Sequence, residues 1–211
     1  MTRSSGYAIS PSTIKATTPR VFTGESGTGK EVASRTIHEL STRASHPFVA
    51  INAAAIPESL MESEIFGHER GAFTGVVSSR AGCFEQADRG TLILDELAEM
   101  PMALQPKLLR VLEDGRVRRV GSAREASFNV QVIAATNRDP TAAVSDGKLR
   151  ADLMYRLNVF SIVLPVLRDR TEDIPLLARH FIHLFNHKHG ADVHAIREAA
   201  MDPPADLALA R

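Results

Sequence analysis

The segment Gly24-Glu25-Ser26-Gly27-Thr28-Gly29-Lys30 constrains this chain more than any other feature. It is a Gly-x4-Gly-Lys loop between a short run with strand character, Arg20-Val21-Phe22-Thr23, and a segment with helical spacing that begins at Lys30. Strand, glycine loop and helix in that order make such a loop a phosphate cradle. Glycines let backbone N–H groups turn inward around phosphate oxygens, the helix N-terminus adds a favourable dipole, and Lys30 can reach the β and γ phosphates. The implied ligand is a nucleoside triphosphate, held by residues 24–30 with Glu31 directly behind them. The general pattern has a Ser or Thr hydroxyl on Mg²⁺ where Glu31 stands, so the metal needs another partner here.

Val32, Ala33, Ile37 and Leu40 are expected to line the buried face of that first helix. Phe48 to Asn52 reads as a strand, and Pro57 as the first-turn proline of a helix that runs through Leu60 and Ile65 and stops at Gly67. Thr91-Leu92-Ile93-Leu94 is continuously apolar, as in a parallel strand buried on both faces. Leu104, Leu108, Val111 and Leu112 define a helix ended by Gly115. A hairpin follows near Gly121, and Val130 to Ala135 form another strand, closed by Thr136 and Asn137. This alternation predicts an α/β fold with a parallel sheet sandwiched by helices. From Arg170 onward, Ile174, Leu177, Phe181 and Leu184 form the stripe of a helix that Gly190 terminates. The expected organisation is a poorly ordered lead-in at 1–19, a nucleotide-binding core at 20–169, the first helix of an incomplete further domain at 170–190, and a disordered tail at 191–211.

Asp95 and Glu96 close the apolar run at Leu94, and acids at the carboxyl end of a buried strand lie beside the first βα loop in such a sheet. Asp95 suits the magnesium ion, and Glu96 suits a general base that polarises the attacking water. Standing alone, the same pair would equally serve as a helix cap. At 211 residues and 44% hydrophobic composition, the chain can bury one sizeable core. Lys plus Arg and Asp plus Glu both total 25, so no summed charge draws it towards nucleic acid or an anionic membrane. Arg116, Arg118, Arg119 and Arg124 cluster, but no aromatic interleaving or helix-turn-helix accompanies them to make a DNA interface. Cys83 has no cysteine to pair with, no apolar run approaches the ~20 residues of a membrane span, and the first residues lack an apolar signal region. The expectation is a cytoplasmic protein without a membrane partner.

GESGTGKE at 24–31, with glutamate directly after the lysine, resembles the Walker A motif of the sigma-54-dependent activators, the NtrC class of AAA+ ATPases. FGHERGAFTGV at 66–76 closely resembles that family's signature loop, normally Gly-Ala-Phe-Thr-Gly-Ala, with Val76 in place of the last alanine. The similarity runs from about Ala16 to Gly190 and takes in FVAINAAAIPESL, GTLILDELAEMP and VQVIAATNRD. It implies a P-loop AAA+ core, ATP and Mg²⁺ as cofactors, and a ring homo-oligomer, which is a hexamer in the family. The implied partner is the sigma-54 RNA polymerase holoenzyme, remodelled through ATP hydrolysis.

By the same resemblance, Gly71, Ala72, Phe73, Thr74, Gly75 and Val76 make the sigma-factor contact, with Phe73 and Thr74 at the tip. Asn52 matches the switch asparagine that holds the Walker B glutamate, here Glu96, away from water. Thr136 and Asn137 match sensor I, and Arg150 and Arg156 match two arginine fingers that act on the neighbouring subunit's ATP. From chemistry alone, the hydroxyl and amides are also ordinary turn formers and the arginines ordinary surface ion pairs. Ala151 and Met154 depart from the residues the family commonly has around its fingers. The family's Trp-Pro-Gly-Asn-Val-Arg-Glu-Leu lid segment, which carries sensor II, is not recognised after His189, and the chain has no Trp. The alternative expectation is therefore a catalytically impaired nucleotide-binding fragment from a truncated or frame-shifted gene. An AAA+ motor for proteolysis or metal chelation is disfavoured by the 71–76 loop, and no receiver or DNA-binding domain is recognised in the chain.

Overall fold

The computed structural model describes residues 20–194, so the expectations for the lead-in at 1–19 and for the tail from 195 onward fall outside the described residues. The chain divides into two units, one closing at Leu164 and the other opening at Pro165. Among its described residues the first unit carries seven strands: β1 (Arg20–Thr23), β2 (Phe48–Asn52), β3 (Thr91–Asp95), β4 (Arg116–Arg118), β5 (Glu125–Ser127), β6 (Gln131–Thr136) and β7 (Phe160–Val163). Five of them form one sheet in the order β2-β3-β6-β1-β7, with every neighbouring pair parallel. Parallel neighbours cannot be joined by tight hairpins and need crossover segments. Helices α1 (Lys30–Glu39), α2 (Glu58–Phe66), α3 (Cys83–Gln86), α4 (Gln105–Asp114), α5 (Pro140–Ser145) and α6 (Ala151–Leu157) lie in those crossovers. The remaining pair, β4 and β5, makes the antiparallel hairpin around Gly121.

Strand side chains alternate between faces, and the core divides accordingly. Val21, Leu92, Leu94, Val132 and Ala134 join one cluster with Met61, Ile65, Phe66, Phe84, Leu108, Leu153 and Leu157. Phe22, Ile93, Ile133 and Ala135 point to the other face, where Ala33 and Ile37 of α1 cover them. Both faces of the sheet are thus closed, as the unbroken apolar runs require.

Helix α1 corrects the expected burial. Val32 and Leu40 are 70% and 76% exposed, whereas Lys30, Ser34 and His38 are buried beside Ala33 and Ile37. The buried arc is polar because its polar atoms find partners inside: Ser34 Oγ donates to Lys30 O at 2.8 Å, and His38 Nδ1 pairs with Thr91 Oγ1 at 2.9 Å. Counting apolar residues alone rotates the helix away from this arc, to which Val32 lies nearly opposite. Pro57 also shifts by one position, serving as N-cap to α2 rather than lying in its first turn. Elsewhere the expected stops hold, with Gly67, Gly115 and Gly190 closing α2, α4 and the helix α7 (Ile174–His189) at positive φ.

Described by itself, the second unit shows, among its described residues, short 3-10 turns followed by α7. No residue of α7 is buried, and Leu176, Phe181, Leu184 and Phe185 are between 47% and 65% exposed. No helix among the described residues is long and apolar enough to cross a membrane.

Cys83 opens α3 and is buried and free, its thiol pushed up to about 11 chiefly by desolvation. The thiolate is the reactive form, so this cysteine should resist a maleimide at pH 8 in the native chain and react fully in urea. Rapid native labelling would contradict the burial.

Candidate functional site

The carboxyl ends of β1, β2, β3 and β6 lie along one edge of the sheet. Register places Asn52 opposite Asp95 and Thr23 opposite Thr136. The glycine loop leaves β1 at this edge. Gly24, Gly27 and Gly29 have φ of 152°, 82° and 92°, backbone that residues with a Cβ rarely adopt. A Cβ on Gly24 would also lie 2.7 Å from the carbonyl oxygen of Leu164. Lys30 is 6% exposed, and its ammonium folds back to donate to Gly24 O at 2.9 Å and Glu25 O at 3.1 Å. Thr28 Oγ1 donates to Glu25 O at 2.9 Å, which tightens the loop. Ser26 is exposed, while Glu31 turns outward to pair with Arg35 at 3.3 Å.

Across the edge, Asp95 and Glu96 are half-buried. Asp95 Oδ1 accepts the Glu96 backbone N–H at 3.0 Å. Glu96 has φ 53° and ψ 46°, a left-handed conformation that a non-glycine residue holds at a cost of ~1–3 kcal/mol and that clusters at working sites. Its Oε2 accepts the Asn137 backbone N–H at 3.3 Å, while Asn52 Oδ1 accepts from Ala54 N at 2.9 Å. The structure therefore joins Glu96 to the sensor-like turn and Asn52 to its own following turn, and does not join these two to each other. Thr136 is buried, and its hydroxyl accepts the Arg138 N–H at 3.1 Å. Arg138 then forks onto Glu99 at 2.8 and 3.1 Å, tying the 136–138 turn to the turn after β3.

Arg150 and Arg156 are bound elsewhere, on the α4–α6 surface. Arg150 forks onto Asp152 through Nε at 3.0 Å and Nη2 at 2.6 Å, which raises its own pKa and holds the Asp152 carboxyl below the usual range. Arg156 Nη2 donates to Leu112 O in the last turn of α4, at 2.8 Å. The backbone of Arg150 is fixed by Gln105, which the sequence reading did not single out. Fully buried, Gln105 accepts from Arg150 N at 2.8 Å and donates to Met100 O and Lys148 O at 3.0 and 2.8 Å. A glutamine beside the leucine stripe of α4 was the available signal.

The loop at 71–76 projects from the first unit. Gly71 N bonds Val76 O at 3.0 Å and Val76 N bonds Phe73 O at 3.2 Å, closing it as a tight turn. Phe73 is 40% exposed, Gly71, Thr74 and Gly75 are exposed, and Ala72 and Val76 are half-buried at its base. The nearby basic cluster is partly neutralised, because Arg119 lies 2.7 Å from Glu85 and 3.2 Å from Glu69.

The fit to a nucleotide and its metal can be judged from these groups. A glycine cradle and a buried ammonium satisfied by loop carbonyls suit a triphosphate. Among the described residues, no group of three or more His, Cys, Asp or Glu could form a metal cage. Mg²⁺ usually takes one or two carboxylates together with phosphate oxygens, and Asp95 is a half-buried carboxylate at the same sheet edge as the glycine loop. Sheet order, loop and acids together define an α/β P-loop NTPase.

The chain belongs to the Sigma-54 interaction domain family, whose model matches residues 7–163. An AAA+ ATPase lid domain model matches residues 168–203 and so runs beyond Gly190, into the stretch that the sequence reading left unmatched. The regulatory protein AtoC of Escherichia coli is 52% identical over 86% of this chain and 39% of its own length. The transcriptional activator HyfR of the same organism is 60% identical over 75% of this chain and 24% of its own length. NtrX from Brucella abortus, solved in complex with ATP and with ADP, superposes with a TM-score of 0.79 at 38% identity, covering 87% of this chain and 40% of that one. The chain thus spans two fifths or less of the length of these relatives.

Proposed function

We propose that this chain is the ATP-hydrolysing module of a sigma-54-dependent transcription activator, which uses nucleotide turnover to move the Phe73 loop against the sigma-54 RNA polymerase holoenzyme. The observation that carries the reading is that the glycine loop, Lys30, Asp95 and Glu96 share one sheet edge in the same unit that presents the exposed loop at 71–76. Residues 24–30 would hold the triphosphate, with Lys30 exchanging loop carbonyls for phosphate oxygens. Mg²⁺ at Asp95 supplies positive charge that offsets the charge of the phosphates. Glu96, half-buried and held by the Asn137 amide, is available as the general base once that weak bond opens. Asn137 would then report the terminal phosphate through its backbone link to Glu96, with Thr136 shaping the turn that carries it.

Arg150 and Arg156 are exchangeably bound on the surface, which suits arginine fingers offered to the next subunit of a ring. The Arg150–Asp152 pair holds only while Asp152 is ionised. Its depressed carboxyl pKa means that this contact is present above the ordinary aspartate range and is lost as pH falls through the lowered value.

The sigma contact is tested by Phe73→Ala. Losing an exposed aromatic anchor should weaken binding of sigma-54 in the presence of a non-hydrolysable ATP analogue by roughly 10- to 100-fold, while the nucleotide still binds. Sigma-54 binding that survives intact would count against the loop assignment.

A further inference from the structure

We propose that His68, fixed by Ser63, is a positioning residue that sets where Phe73 rests, so that the 71–76 loop starts from a defined seat. The consequence for sigma-54 rests on the function proposed above, whereas the seat itself rests on geometry.

The backbone beneath the loop is held from two sides. Gly67 ends α2 at φ 79°, where a Cβ would lie 2.7 Å from both Arg80 O and Gly82 N. His68 exchanges both backbone hydrogen bonds with Arg80, at 3.0 and 2.9 Å. On the other side, Glu69 N donates to Val120 O at 3.0 Å and Val120 N donates to Gly67 O at 2.9 Å. The hairpin also crowds the loop, since a Cβ on Gly121 would lie 2.9 Å from the Ala72 Cβ. The start of the loop is therefore rigid, and the backbone bonds at 71, 72 and 76 fold the rest of the loop onto itself and onto Glu69.

What ties the tip to this base is a side-chain relay. His68 is 9% exposed and Ser63, on α2, is 6% exposed. His68 Nδ1 lies 2.5 Å from Ser63 Oγ. A hydroxyl both donates and accepts, so it satisfies Nδ1 in either neutral tautomer and fixes the plane of the ring. That ring then meets Phe73 edge to face, with centroids 5.5 Å apart and planes at 69°. Edge-to-face is a favoured aromatic geometry, and it leaves Phe73 half-covered rather than free. His68 touches no residue of the phosphate site in the described contacts, so it positions the tip and takes no part in the chemistry.

The chain has no tryptophan, so Phe73→Trp adds a single fluorescent reporter at the tip. Emission maximum and acrylamide quenching would be compared in this background with His68→Asn, His68→Phe and Ser63→Ala. Asparagine keeps a polar atom where Nδ1 lies and removes the rest of the ring, while phenylalanine keeps the ring and loses the bond to Ser63. His68→Asn should move the emission to the red and shift the balance from docked to free tip by roughly two- to tenfold. His68→Phe and Ser63→Ala each keep a ring at this place and lose the bond that fixes it, so both should shift the emission in the same direction as asparagine but less far. Circular dichroism establishes folding for each variant; if His68→Asn does not fold, Ser63→Ala decides. Emission and quenching unchanged in both His68→Asn and Ser63→Ala, or a red shift in His68→Phe as large as that in His68→Asn, would overturn the proposal. Neither readout involves sigma-54 or hydrolysis. A parent chain that fails to bind sigma-54 would thus remove the loop's proposed partner and leave the seat standing.

Discussion

Lys30→Ala should weaken ATP binding by this chain sharply while leaving it folded. The Lys30 side chain is buried, and its two bonds to the Gly24 and Glu25 carbonyls hold a positive charge within the glycine loop. A hydrogen bond to a charged group contributes about 1.5–3 kcal/mol, so its loss should weaken ATP binding by roughly 10- to 100-fold in a calorimetric titration. Hydrolysis should fall further, because charge grows on the phosphate oxygens as the bond breaks and the cation is then worth most. The loop carbonyls that lose Lys30 lie at an open edge and can turn to water, so the melting temperature should change little. An unaltered dissociation constant would remove the glycine loop as the phosphate site.

Glu96→Gln should separate binding from chemistry. The amide has nearly the shape of the carboxylate and its oxygen can still accept the Asn137 N–H, so the geometry of the edge survives. What it loses is the ability to take a proton from the attacking water, and general-base contributions are typically about 10²–10⁴-fold. ATP affinity should be kept or slightly raised, since one negative charge near the phosphates is gone, while single-turnover hydrolysis drops by that factor. Turnover equal to that of the parent would leave Glu96 without its assigned role. The left-handed backbone at Glu96 offers a second check. Glycine there relieves the strain but removes the carboxylate, so Glu96→Gly should be as inactive as glutamine and no less stable.

Much of this site is legible in the chain because punctuation and apolar runs coincide. β3 and β6 are buried along nearly their whole length, and β2, half-exposed at the sheet margin, still packs Phe48, Val49 and Ile51 against the core, so a run of apolar letters suffices to find all three. Their parallel order then brings Asn52, Asp95, Thr136 and the loop to one edge without further information. β7 is different: three of its four residues are exposed at the sheet margin, and neither periodicity nor burial marks it. The orientation of α1 was hidden for a related reason, because its buried face is polar and satisfied from within by the Lys30 carbonyl and Thr91. Hydrogen-bond partners were the least legible part. Nothing in the order of residues says that Glu96 rests on the Asn137 amide or that Gln105 fixes Arg150, since each pair joins elements that meet only in the fold, and the local bond of Ser63 to His68 depends on how the chain turns at Gly67.

On the proposed function, the residues gathered at this edge form a working ATPase completed by arginines from a neighbouring copy. ATP hydrolysis by the purified chain across a wide concentration series, with Lys30→Ala as the blank, tests it most directly. Specific activity should climb steeply with protein concentration and be absent in the variant. Activity no higher than the blank at every concentration would contradict it.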